Sequence, residues 1–432
     1  MSLSLAGIFL GLALLMFLAY RGNSVIWVAP LCAAFVAFMG GLDLLGSYIG
    51  DYMTGLAGYV REWFPAFFLG AVYGKIMDMT NSARSLADKV VKLVGPHRAV
   101  AAVILPCMIM TYGGISLFVV VFVIYPMGYA VYRAANLPRT LLPGAIAVGA
   151  FGITMTAVPG TPQIQNLIPA QFYGTGPMAA PLLSVVACFM IFIPGYLYLT
   201  SRARKAHING EVFTEDPKFT EIKLYGELPG WHWLCGLIPI IAVIVTLNVL
   251  KLHIVVSLLC GILICCAMNW RQYKILLPAI SAGAKGSLTA IMNTACAVGF
   301  GSVVRAVPGF AALTAIMMNL PGSILFSQAV AVNLLAGATG SASGGMSIAL
   351  EALAPMYLEQ AAQTGISPEY LHRIASISSG GLDTLPHNGA VLTLLAVSNC
   401  THKESYRDIF IAGLLVPAAA SLILALVWGT FI

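Results

Sequence analysis

The segment SSGGLDTLPHNGA, Ser378–Ala390, gathers three glycines, a proline, an aspartate, a threonine, a histidine and an asparagine between two apolar runs. The chain around it is 59% hydrophobic and only 9% charged, with a mean hydropathy of +0.90. Soluble domains carry roughly a quarter charged residues, so this much apolar surface has no single aqueous core to hide in. The sequence is therefore read as an all-α integral membrane protein. A spanning helix satisfies its own backbone, and a break at membrane depth survives only where protein or a water-filled cavity takes over the hydrogen bonds. The quoted segment is such a break. Its polar residues replace the lost bonds and line a central cavity.

Apolar segments able to cross about 30 Å of hydrocarbon recur, among them Ser2–Tyr20, Trp231–Leu250, Val255–Met268 and Ile409–Ile432. The first has no basic run before it and no cleavage-site pattern, so it is read as a retained span. The formal net charge is +6 without a basic patch interleaved with aromatics, which argues against a nucleic-acid partner. The 9 cysteines lie mostly in apolar segments without metal-ligand spacing. Phosphate-binding loops, GxSxG, HExxH and Cys/His clusters are missing, so no enzyme site, metal or cofactor is expected.

Landmarks repeat along the chain. Lys75 after FFLGAVYG and Arg305 after AVGFGSVV stand at the spacing that also separates Arg21 from Lys251, and Gly113-Gly114 with Ser116 matches Gly344-Gly345 with Ser347. Two diverged halves follow, residues 1–200 and 231–432, joined by a polar linker over 201–230. Arg202, Arg204 and Lys205 abut the end of a span and place that linker in the cytoplasm. Counting crossings from there brings Arg133, Arg139, an interfacial helix over Met79–Arg98, the segment Trp270–Lys285 and THKESYRD (Thr401–Asp408) to the same side. The uncharged stretch between Pro308 and Pro321 falls outside. The halves are then inverted repeats, with about ten transmembrane helices, two re-entrant helical hairpins and two discontinuous helices. Secondary transporters are built this way.

Four interruptions carry the expected site. TYGGIS (Thr111–Ser116) and GATGSASGGMS (Gly337–Ser347) are read as hairpin tips, and AVPGTPQIQN (Ala157–Asn166) and Ser378–Ala390 as broken helices. Freed N–H groups at the start of a half-helix attract an anion. The expected substrate contacts are Thr111, Gly113, Gly114 and Ser116 at one tip, and Ser341, Ser343, Gly344, Gly345 and Ser347 at the other. Thr161, Gln163, Gln165 and Asn166 add donors in the first broken helix, and Thr384, His387 and Asn388 in the second. Asp383 and His387, ionisable at membrane depth, are the candidates for proton coupling, with Glu351 as a further one. Helix packing by small residues and capping are the competing structural roles. Lys75 and Arg305 either steer a carboxylate or snorkel to the interfaces as anchors.

LPRTLLPGAIAVGAFGITMTAVPGTPQIQN (Leu137–Asn166) and SSGGLDTLPHNGAVLTLL (Ser378–Leu395), together with the hairpin tips, resemble the gluconate permease (GntP-type) family of the ion-transporter superfamily, particularly its members for 3-hydroxybutyrate and similar short acids. The resemblance implies a homodimeric symporter of a small organic acid anion in the bacterial inner membrane, moving a transport domain against a scaffold like an elevator. It implies protons as the coupling ion. The Ser-Asn-Thr signatures of the sodium-coupled dicarboxylate branch are missing, which weakens any transfer of sodium sites. A sodium-coupled carboxylate symporter, a passive anion channel and a membrane sensor stand as alternatives. Concentrative uptake dissipated by a protonophore separates them.

Overall fold

The computed structural model describes residues 3–21, 23–216, 229–318, 323–386 and 388–431. It is helical, with no strand among the described residues. α1 (Leu3–Tyr20) and α2 (Val25–Gly40) pair antiparallel, Gly7 facing Met39 and Gly11 facing Val36. The short α3 (Leu44–Ser47), capped by Asp43, leads through a wide π turn into the long α4 (Met53–Met79). α5 (Ser82–Val94) is amphipathic, burying Ser82, Ala83, Leu86 and Ala87 while Lys89 and Lys92 stay exposed, and it lies inside the stretch expected to be interfacial. α6 (Ala99–Tyr112) and α7 (Leu117–Ala134) form a hairpin. α8 (Leu142–Ala147) winds on as π helix to Thr154; the chain then breaks and resumes as α9 (Ile164–Tyr173) and α10 (Pro181–Ile208).

Similar elements follow in the rest of the chain. α11 (Leu234–Asn248) packs on α12 (Ile254–Met268), and α13 (Tyr273–Ala306) is long, with the short α14 (Gly309–Met318) behind it. α15 (Ile324–Thr339) and α16 (Ala342–Thr364) form a second hairpin. α17 (Pro368–Ser379) and α18 (Gly389–Val397) flank the second break, and α19 (His402–Ile409) continues through a π turn into α20 (Val416–Phe431).

α4 and α13 run antiparallel through the middle. A Cβ on Gly283 would meet the Val72 backbone at 2.6 Å and one on Gly299 the Tyr52 backbone at 2.9 Å, so glycine is what lets the two helices touch. On the outside, Leu182, Phe189, Ile193 and Leu197 of α10 and Leu259 and Leu263 of α12 are exposed apolar side chains, a surface suited to lipid. Among the described residues three continuous helices, Pro181–Ile208, Trp270–Ala306 and His402–Thr430, are long and apolar enough to cross a membrane. Further apolar helices are shorter, and α4 carries Arg61, Glu62, Lys75 and Asp78. A count of about ten transmembrane helices therefore includes the shorter apolar helices as well.

The linker is partly helix. α10 runs through Arg202, Arg204 and Lys205, because a basic cluster marks an interface without stopping a helix. Residues 211–216 are non-helical and pinned. Glu215 accepts from Arg133 Nη2 and the Tyr129 hydroxyl, both at 2.6 Å, and Asp216 accepts from Asn399 Nδ2 at 2.9 Å.

Candidate functional site

Both hairpin tips and both breaks face one cavity of about 690 Å³. The first residues of four helices line it: Leu117 of α7, Ile164 of α9, Ala342 of α16 and Gly389 of α18. Each start follows a stretch that cannot continue the preceding helix, as at Gly114, whose φ of 85° suits a residue without a Cβ. Unpaired N–H groups and the positive ends of four helix dipoles thus converge on one volume. The four ends are not equivalent. Ser341 Oγ accepts from the Gly344 N–H at 3.1 Å, and Asn388 Oδ1 accepts from the Ala390 and Val391 N–H groups at 2.6 and 3.0 Å. Ser116 and Gln163, at the corresponding places before α7 and α9, give no side-chain cap. Open donors are therefore concentrated at α7 and α9.

Two amides bind the broken helices to the hairpins. Gln163 Nε2 donates to Thr111 O at 2.6 Å and to Ile115 O at 3.3 Å. Asn388 Nδ2 donates to Gly340 O and to Asp383 Oδ1, both at 2.8 Å. Asp383 is 4% exposed, lines the cavity, and lies beside the Ala342 N–H of α16. Among the described residues no basic side chain lies within ion-pair distance of it.

Eight of the expected residues line this cavity: Gly114, Ser116, Gln163, Gln165, Ser341, Ser343, Asp383 and Asn388. The others have different places. Thr111, Thr161 and Thr384 are buried with unpartnered hydroxyls away from the lining. Gly113 packs on Ile240. The second tip lies at Gly340 and Ser341, so Gly344 and Gly345 sit inside α16, where a Cβ on Gly345 would collide with the Ala336 backbone. The starts of α7 and α16 (342 − 117) and of α9 and α18 (389 − 164) are both 225 residues apart, which pairs Ser341, not Ser347, with Ser116. Ser347 and Glu351 face a second cavity, where Glu351 Oε1 pairs with Arg305 Nη1 at 2.9 Å. Lys75 is held by Asp78 at 2.8 Å at the edge of the central cavity. His387 lies outside the described residues.

Asn166 is fully buried and turned away from the cavity. Its Oδ1 accepts from Arg373 Nη1 at 2.9 Å and meets His372 Nε2 at 3.1 Å, and its amide donates to Thr161 O and Pro177 O. Arg373 also donates to Ala179 O and Pro177 O, and His372 Nδ1 meets the Thr175 hydroxyl at 2.6 Å. This network satisfies the ring if Nε2 carries the hydrogen and Thr175 donates to Nδ1. His372 and Arg373, both fully buried, escaped the sequence reading. Their signal was an HR pair inside YLHRIASISS, ionisable residues in an otherwise crossing helix.

The second cavity, about 730 Å³, continues the line of the first. Along α4 the central cavity touches residues 66–75 and the second residues 54–63; along α13 they touch 282–297 and 298–306. On α16 the boundary falls between Ser343 and Ser347. Among the described residues no group of three or more His, Cys, Asp or Glu is disposed to hold a metal ion.

The GntP family permease model matches residues 2–211. The transporter YxjC of Bacillus subtilis (strain 168) is 39% identical over 460 aligned positions, covering 97% of this chain and 98% of its own. A permease of Haemophilus influenzae is 25% identical over 249 positions, 55% of this chain and 49% of that one. Two solved structures share the fold. The Alcanivorax borkumensis YdaH transporter superposes with a TM-score of 0.60 at 16% identity over 88% of each chain. Neisseria gonorrhoeae MtrF, of a class of antimetabolite efflux pumps, gives 0.57 at 13% identity over 90% of this chain and 85% of its own. Near full-length identity to YxjC, a family match across the first half and a helical architecture with broken helices around one cavity agree: the chain belongs to the GntP permease family, as a multi-pass membrane transporter.

Proposed function

We propose that this protein is a secondary active transporter for a small organic acid anion, of the size of gluconate or 3-hydroxybutyrate, coupled to protons. The observation that carries the reading is the convergence of four helix starts on one cavity, two of them without side-chain caps. A carboxylate is bound by the open N–H groups of α7 and α9, with Ser116 and Gln165 beside them, since helix N-termini are ready anion sites. The capped ends of α16 and α18 hold the coupling group instead. An ionised Asp383 with amide partners alone carries an uncompensated desolvation cost, which a bound proton removes.

The two halves form inverted repeats, with α4–α13 and the paired α1–α2 and α11–α12 as scaffold, and the hairpins and broken helices as the moving part. The recurring order of elements supports this division, and the two cavities stacked along α4 and α13 suit access alternating between the two sides. A homodimer in the bacterial inner membrane is the arrangement the family resemblance favours.

Reconstitution into liposomes tests the reading. Counterflow should appear with gluconate or 3-hydroxybutyrate, and accumulation should follow an imposed proton gradient and vanish with a protonophore. Asp383→Asn should keep counterflow and lose accumulation. Downhill flux indifferent to the gradient would make the protein a channel, and a sodium requirement would replace the proton.

A further inference from the structure

Where the two cavities meet, the wall between them carries hydroxyls. Tyr59 of α4 and Ser347 of α16 line the second cavity, and Thr294 of α13 and Ser343 of α16 line the central one. Tyr59 and Ser347 are 7% and 1% exposed, and the buried hydroxyl of each has no hydrogen-bond partner. The Tyr59 hydroxyl lies beside those of Ser347 and Thr294. Thr294 Oγ1 in turn stands 3.5 Å from Ser343 Oγ. Buried hydroxyls without partners are uncommon and costly unless water or a moving partner fills them. The neighbouring wall residues Trp63, Ala66, Ala297 and Val298 would close the passage with carbon.

Building on the proton-symport reading above, we infer that Tyr59, Ser347, Thr294 and Ser343 form a hydroxyl relay carrying the coupling proton between the second cavity and Asp383. At each step an oxygen lone pair takes up a proton and the same hydroxyl releases its own hydrogen to the next oxygen. Every O–H bond broken is matched by one formed, and one proton moves with the hydroxyls left unchanged. Thr294 Oγ1 and Ser343 Oγ, 3.5 Å apart, stand at the long end of hydrogen-bond reach, which a small side-chain turn shortens, and cavity water completes the way to Asp383. The charged groups facing the path are Asp51, Glu62, Glu351 and Arg305 on the far side, and Lys75 and Asp383 on the near side. Arg305 is already paired with Glu351, so Asp51 and Glu62 leave the far mouth negative. That mouth draws protons and repels the anionic substrate. The proton and the anion thereby take separate routes to one cavity.

Ser302 supplies a control, because it lines the same second cavity but its hydroxyl already donates to Val298 O at 3.2 Å. The experiment uses the full chain in phosphatidylethanolamine–phosphatidylglycerol liposomes loaded with a pH-sensitive dye, with gluconate and 3-hydroxybutyrate as probes. Tyr59→Phe and Thr294→Val should each slow substrate-driven proton influx about tenfold or more. Acid exchange should remain close to the parent's in Tyr59→Phe, whose side chain lines the second cavity and not the substrate cavity, and Ser302→Ala should match the parent in both readouts. Parental proton influx in Tyr59→Phe and Thr294→Val would overturn the relay while leaving proton symport standing. Exchange lost together with proton influx in Tyr59→Phe would also overturn it, by assigning that hydroxyl to the fold or to the substrate. A parent that exchanges neither acid, or exchanges one without proton influx, would overturn the symport reading and the relay together.

Discussion

Asn166 and Asn388 read alike in the sequence, as amides beside proline-containing breaks, and the structure gives them opposite tasks. Asn388 faces the cavity, caps α18 and ties Gly340 to Asp383. Asn166 has no face on the cavity and is the side-chain acceptor for Arg373, a guanidinium that otherwise rests on carbonyl oxygens. Asn166→Ala should therefore act on stability, because it strips a charged donor of its partner, at roughly 1.5 to 3 kcal/mol. Asn388→Ala should act on substrate affinity, weakening it by roughly 1 to 3 kcal/mol as the second tip loosens. Denaturant unfolding in detergent and equilibrium binding of the transported acid measure the two effects separately. Equal losses of affinity in the two folded variants would return Asn166 to the substrate site.

At the scale of elements, the breaks were legible because glycine and proline interrupt apolar runs for a steric reason that needs no tertiary information. Register was not. GATGSASGGMS offers four glycine positions, and only the packed structure shows that Gly340 turns the chain while Gly345 lets α16 close on Ala336. For the same reason eight of the expected residues reached the cavity while Ser347 and Glu351 went to its neighbour: a helical side chain's direction depends on where the helix begins. The buried His372 and Arg373 were missed because their partners lie on α9 and in the chain leading to α10, far away in sequence. The linker's hold on α7 was equally hidden. There the hydrogen bond from Arg133, with that of Tyr129, keeps the Glu215 carboxyl below its ordinary range. A lowered folded value means the clamp is complete at neutral pH and is lost only as pH falls through that value, below the ordinary glutamate range. Arg133→Ala should make residues 209–216 faster to cleave in limited proteolysis at pH 7, and the parent should approach the same susceptibility only in acid. Unchanged cleavage of the variant at pH 7 would show that Asp216 and Asn399 suffice to hold the segment.

For the whole molecule the open question is which ends of the helices share a side of the membrane. The positive-inside rule gives an expectation from Arg133, Arg139, Arg202, Arg204 and Lys205, all near the ends of α7, α8 and α10. The fold adds a reason for those residues to stay together. Arg202 and Tyr198 share Asp408 of α19, and Arg139 reaches the Ser398 carbonyl after α18, so one end of the molecule is a charged, cross-linked layer from both halves. On this reading α10 and α18 finish on that layer, whereas the loop between α16 and α17 lies at the opposite end. Single cysteines at Glu211, Lys403 and Gln363 test it; all three positions are exposed. Lys403 is the better choice beside Glu404, whose carboxylate accepts from the Thr401 N–H at 2.7 Å and caps α19. The 9 native cysteines are buried or half-buried, which keeps the background low for a membrane-impermeant maleimide. In intact cells Gln363→Cys should label, and Glu211→Cys and Lys403→Cys only after permeabilisation. Labelling of positions 211 and 363 from the same side would remove the inverted repeat. The same crossing count puts Asn23 and Lys75, which line the central cavity, on the cytoplasmic side, so that assignment of the cavity would fall with it.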